Sequence, residues 1–161
     1  MATRSTPSFW VFFGLLLVAH FLLHIGLGIG NGAPDLLTAA LLLGVRRVRG
    51  SVAAAMGLGL GLLNDSFSTS SFGADAVVLT IIGYLGARSR DLFEGESMFF
   101  MAGYLFLGKL LHDLGYWMLA RDTARPEFLT QLFLTWPLNA LYCAGAGLLA
   151  LLIFRATTGE K

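Results

Sequence analysis

Residues 34–49 read PDLLTAALLLGVRRVR: a proline and an acid, ten residues without charge, then three arginines within four positions. The uncharged part is too apolar for a water-facing segment, yet short for a membrane crossing, which takes about 20 residues at 1.5 Å each. Its arginines show how to read the rest, because loops kept in the cytoplasm hold the excess of Lys and Arg. Working outward, the chain divides into six apolar stretches, at about 8–29, 34–48, 50–64, 72–88, 97–120 and 128–154. Arg4 precedes the first; Arg46, Arg47 and Arg49 follow the second; Arg88 and Arg90 follow the fourth; Arg155 and Lys161 follow the sixth. The gaps after the first and third stretches hold no basic residue, and the gap after the fifth holds only Arg121 and Arg125. This alternation predicts an all-α integral membrane protein: one domain, a six-transmembrane-helix bundle, with both termini in the cytoplasm. Span two can cross only if its arginines snorkel to the inner headgroups or the bilayer thins locally. A re-entrant hairpin of spans two and three would strand the same arginines at depth.

Composition agrees. Of 161 residues, 56% are hydrophobic and 13% charged, against about 45–50% and about 25% in soluble domains. A net charge of +1, spread over juxtamembrane loops, gives no nucleic-acid surface. Cys143 lies inside an apolar stretch and reads as a packing residue; a single cysteine forms no internal disulfide. The first stretch is long for a signal-peptide core and lacks a small-x-small cleavage site, so it reads as a retained span.

Local chemistry fills in the spans. Trp10 marks the inner interface of span one, and residues 31–34 a tight outer turn, with Pro34 suited to the first position of the next helix. In span three, Gly57 and Gly61 form a GxxxG pair beside Gly59 and three alanines, which allows a backbone to approach closely. Packing between spans and a homodimer seam both fit that face. Ser70 or Ser71 could cap span four. Pro137 should kink span six, and Trp117 and Trp136 belong to an outer aromatic belt.

The costly residues are polar ones within the spans. Lys109, His112 and Asp113 lie deep in span five, where a central Lys or Asp costs roughly 2.5–3.5 kcal/mol. Such groups must face the bundle interior; Lys109 and Asp113 are spaced to pair along one helix face. Depth brings His24, Asp65 and Asp75 into the same outer zone, with Lys109 and Asn139 nearer the midplane. This zone could be structural glue, a proton or ion path, or a docking surface for a partner helix. A zinc site on His20 and His24 has the right spacing but no third strong ligand. No metal or other cofactor is indicated, and no GxSxG, HExxH or phosphate-cradling motif is present.

An ordered set of motifs carries a resemblance. Pro34-Asp35-Leu36-Leu37 opens span two, and a basic turn closes it at Arg46 to Arg49. A Gly-rich span runs from Gly57 to Gly61-Leu62-Leu63-Asn64-Asp65, and Phe72-Gly73-Ala74-Asp75 opens the next span. That span closes on Gly83-Tyr84-Leu85 and a basic end at Arg88 and Arg90. The set, about residues 33–93, resembles the rod shape-determining protein MreD family. Asn64 departs from it, standing where an apolar residue is more usual.

The resemblance implies a non-enzymatic scaffold of the inner (cytoplasmic) membrane within the bacterial elongation machinery. Its implied partner is MreC and, through MreC, RodA with its class B penicillin-binding protein. It implies a fold similar to the substrate-binding subunits of energy-coupling-factor transporters. Pro34, Asp35, Gly57, Gly61, Asp65 and Gly73 are the partner-binding or motif residues so implied; close packing at Gly57, Gly59 and Gly61, with Pro34, Asp35 and Asp65, would shape a groove for a partner segment. The alternative is a small-molecule-binding subunit of a vitamin or metal transporter, using the polar zone of Asp65, Asp75, His112 and Asp113.

Overall fold

A computed structural model describes residues 7–26, 34–67, 71–90, 97–120 and 128–158. Arg4, residues 31–33, Ser70, Arg121, Arg125 and Lys161 lie outside the described residues. Among the described residues every regular element is helical. Helix α1 (Pro7–Phe21) runs on through a π-helical turn at Leu22–Gly26. Then come α2 (Leu36–Val45), α3 (Gly50–Asp65), α4 (Ala74–Ser89) and α5 (Met98–Leu119). The last, α6 (Phe128–Thr158), holds a π-helical turn at Gln131–Thr135. That turn sits just before Pro137, whose missing N–H interrupts the α-helical ladder there.

The short segment turns out to be the centre. All ten residues of α2 are buried, and it touches each of the other five helices. A helix apolar on every face belongs inside a bundle. At about 15 Å it is half the roughly 30 Å of a bilayer's hydrocarbon. The other helices enclose it on every side. Two of its arginines lie over rings of the bundle, Arg46 over Phe100 (5.2 Å) and Tyr104 (5.4 Å) and Arg47 over Phe9 (3.8 Å), while Arg49 is exposed.

Helices α3 and α4 form the tightest pair, for a reason written in three glycines. A Cβ on Gly57 would overlap the Leu79 carbonyl, one on Gly61 the Ala76 backbone, and one on Gly83 the Ala53 carbonyl. Large apolar side chains cover the outside of the bundle, including Val11, Leu15 and Val18 on α1 and Phe133, Leu138 and Leu149 on α6. Among the described residues two helices, Pro7–His24 and Phe128–Thr158, are long and apolar enough to cross a membrane by themselves.

One end of the bundle is basic and aromatic. Arg90 Nη1 donates to the Arg46 carbonyl at 3.1 Å, and Tyr104 Oη to the Leu42 carbonyl at 2.9 Å, so neighbours satisfy the C-terminal carbonyls of α2. Phe9 and Phe154 meet edge-on beside them, at 6.0 Å. The opposite end is acidic.

Candidate functional site

The acidic end is built around the buried N-terminus of α2. A helix start leaves its first N–H groups without intrahelical partners, and here those of Leu36, Leu37 and Thr38 are each met. Leu36 N donates to the Pro34 carbonyl (2.8 Å), while Ala39 N makes the first i→i−4 bond of the helix, to the Asp35 carbonyl (3.3 Å). Thr38 N donates to Asp35 Oδ1 (3.0 Å), and Leu37 N to His20 Nδ1 across from α1 (3.3 Å). Asp35 is therefore the N-cap and Pro34 lies just before it, two positions ahead of the first helical residue, Leu36, and not at that first position as expected. Asp35 Oδ2 also accepts from the Thr38 hydroxyl (2.7 Å), and the Asp35 carbonyl takes the Cys143 thiol from α6 (3.2 Å).

From Asp35 the network runs across the bundle. Lys109 Nζ lies 2.6 Å from Asp35 Oδ2 and 2.7 Å from Asp113 Oδ1. One ammonium thus joins the cap of α2 to the next turn of α5. His112 places Nδ1 3.3 Å from Asp113 Oδ1 and Nε2 3.0 Å from Asp75 Oδ1, tying α5 to α4. Asp75 Oδ2 accepts from Asn64 Nδ2 at 2.6 Å.

Asp65, wholly buried, closes the chain of contacts: its two oxygens accept from Asp75 N (3.2 Å) and Ala76 N (2.9 Å). The cap of α4 is thus a carboxylate from α3. Ser71, expected in that role, contributes its carbonyl to Ala74 N (3.1 Å). Asp35 and Asp65 both stand at the positive end of a helix dipole, which favours a carboxylate. Gly73 precedes α4 at φ 96°, a left-handed conformation that glycine adopts without cost.

The motif residues thereby acquire physical roles. Gly57 and Gly61 bring α4 close, Asp65 caps it, Gly73 turns the chain into it, and Asp75 passes the contact on to α5. Gly59 points away from this seam into open space.

Beside the network lies a cavity of about 180 Å³ lined by His20, His24, Asp35, Asn64, Lys109, Asn139 and Tyr142. His24 stacks on His20 (ring centroids 4.2 Å apart), and its Nδ1 lies 3.2 Å from the His20 carbonyl. Each histidine thus has Nδ1 committed to backbone, and among the described residues no three metal-ligating side chains converge. Asn139 is exposed at the cavity wall and so is not part of a buried cluster. Asp113 Oδ2 is buried without a hydrogen-bond partner among the described residues.

Several contributors were not singled out from sequence for this network, among them Asp35, read only as a motif residue, and Cys143, read only as packing. Thr38 reads as part of an apolar run, and Asn64 as a departure from the motif. His20 carried a signal in its spacing from His24, but its acceptor role toward Leu37 depends on how α1 crosses α2.

A family model, described as rod shape-determining protein MreD, matches residues 4–111. The match takes in α1 to α4 and α5 as far as Leu111, hence Asp35, Asp65, Gly73, Asp75 and Lys109; His112, Asp113 and α6 lie beyond it. No curated protein and no solved structure matches the chain.

Proposed function

The chain belongs to the family of the rod shape-determining protein MreD, and we propose that it serves rod shape as a non-enzymatic scaffold of the bacterial inner membrane. In this reading it binds MreC and, through it, supports RodA and its class B penicillin-binding protein in lateral peptidoglycan synthesis. The observation that carries the reading is the family match over residues 4–111.

The geometry supports binding as the task. Asp35, Asp65, Asp75, Lys109 and His112 contact one another and the helix starts, which fixes the register of a bundle that hydrocarbon alone does not drive together. A six-span threading is supported by the separation of charge. Arg46, Arg47 and Arg90 lie at one end, the carboxylates at the other, and the arginine end belongs in the cytoplasm. Helices α2 to α5 would cross as a packed group around α2.

The seam of Gly57 and Gly61 is filled by α4, so the surface that a partner helix meets is the outer face of α3 with Val52, Leu58, Gly59 and Leu62. The alternative is a subunit that captures a vitamin or a metal: a vitamin asks for about 300–1,000 Å³ against about 180 Å³ in the polar cavity, and a metal asks for a ligand cluster that the described residues do not form. Depleting the protein in a rod-shaped cell should make the cells round up, and Gly59→Leu should reduce recovery of MreC with the purified protein. Rods that persist without the protein or a paralogue would overturn the reading.

A further inference from the structure

A second cavity lies on the other side of α5. It is an apolar groove of about 480 Å³ between α4 and α5, floored by Leu42 of α2 and lined among others by Ile82, Leu85, Phe99, Gly103, Leu107 and Leu111. Its rims face outward, with Phe99 91% and Leu107 59% exposed. Along α5 it runs from Phe99 to Leu111, about 18 Å at 1.5 Å per residue, close to one leaflet of a hydrocarbon core about 30 Å thick.

Both ends of the groove are defined. Towards the acidic end the two helices close together: His112 Nε2 meets Asp75 at 3.0 Å, and a Cβ on Gly115 would lie 3.1 Å from the Val78 methyls. Towards the basic end the groove opens beside arginines. The Arg46 guanidinium lies over Phe100 and Tyr104, both groove residues, and Arg90 donates to the Arg46 carbonyl. A transmembrane helix would need a slot as deep as the bilayer. A lipid tail needs one leaflet, and a basic mouth selects an anionic headgroup.

We propose that this groove binds an anionic phospholipid of the arginine-side leaflet, one acyl chain lying along α5 and the phosphate meeting Arg46 and Arg90. The inference rests on the membrane setting proposed above and not on the partner proposed there. A lipid so placed would join α4 to α5 along the groove, adding to the contact that Tyr104 makes beside Gly86. It would also make the bundle's stability depend on membrane composition.

The test is native mass spectrometry of the full chain, purified in mild detergent and offered phosphatidylglycerol or phosphatidylcholine. The wild type should retain one phosphatidylglycerol in marked preference. Arg46→Gln with Arg90→Gln should cut that preference roughly 10- to 30-fold, each arginine being worth about a factor of five near an anionic headgroup. Arg46→Lys with Arg90→Lys should keep most of it, which controls for folding. Gly103→Leu should lower retention of both lipids, because its side chain enters a groove in which a Cβ meets nothing within 4 Å. Equal retention of the two lipids by the wild type overturns the proposal. So does an undiminished preference in the glutamine pair, or a Gly103→Leu protein that holds both lipids as before while losing a co-purifying protein.

Discussion

Asp35 and Lys109 sit 74 positions apart and 2.6 Å from each other. Sequence spacing pairs Lys109 with Asp113 along one helix, and that contact forms at 2.7 Å. The contact of Lys109 with Asp35, the cap of α2, was invisible because it depends on how α2 and α5 cross. Lys109→Met strands both Asp35 and Asp113, so it should destabilise by about 3–5 kcal/mol. Asp35→Asn should cost less, because Lys109 keeps Asp113. The double variant removes the charge at Asp35 and still leaves Asp113 without its ammonium, so it should recover only part of the summed loss in a double-mutant cycle, measured by denaturant titration in mixed micelles. At Gly73, φ 96° excludes a Cβ on backbone grounds alone, since the space beside it is open. Gly73→Ala should cost about 1–2 kcal/mol, and Gly73→Asn less, because Asn tolerates the left-handed region. Equal losses for the two would mean that packing governs the site.

Among the elements, the pairing of α3 with α4 is where pattern and structure meet best. The small-residue face of α3 was legible as a close-approach surface, while its partner was not: Gly57 and Gly61 fit an internal helix as well as a second copy. The structure gives them to α4, with Gly83 answering from the other side. Gly57→Leu and Gly61→Leu should each push the helices apart at a cost above about 3 kcal/mol, read as loss of monodisperse protein. Gly59→Leu should stay within about 0.5 kcal/mol of wild type. An unstable Gly59→Leu protein would show that this face too is packed. The cap of α4 was misplaced for a related reason. Serines next to a helix start are good caps, but Asp65 reaches in from ten positions upstream of Asp75, through tertiary structure. For α2 the sequence showed an apolar run and a length that seemed a defect. Only the other helices wrapped around it show that these ten residues form the centre of the bundle.

At the scale of the whole molecule, six apolar stretches and an alternation of arginines were legible from composition alone, and six helices stand where the stretches do. What lay beyond reach was the gathering of the carboxylates, since depth along a span sets height but not neighbours. Threading is tested by labelling with an impermeant maleimide on intact spheroplasts. Cysteine at exposed Arg49 should stay unlabelled and cysteine at exposed Phe67 should react, with buried Cys143 silent in both. The reverse pattern would turn the molecule over.

The opposed ends have an electrical meaning. A respiring cell keeps its interior negative, and carrying one positive charge out against that voltage takes about 2.3 kcal/mol per 100 mV. Arg46, Arg47 and Arg90 share one end, so inversion would carry all of them against the gradient together. In the proposed threading the cell's own polarisation would help hold the bundle upright, and draining it would weaken that hold without breaking any contact inside the protein.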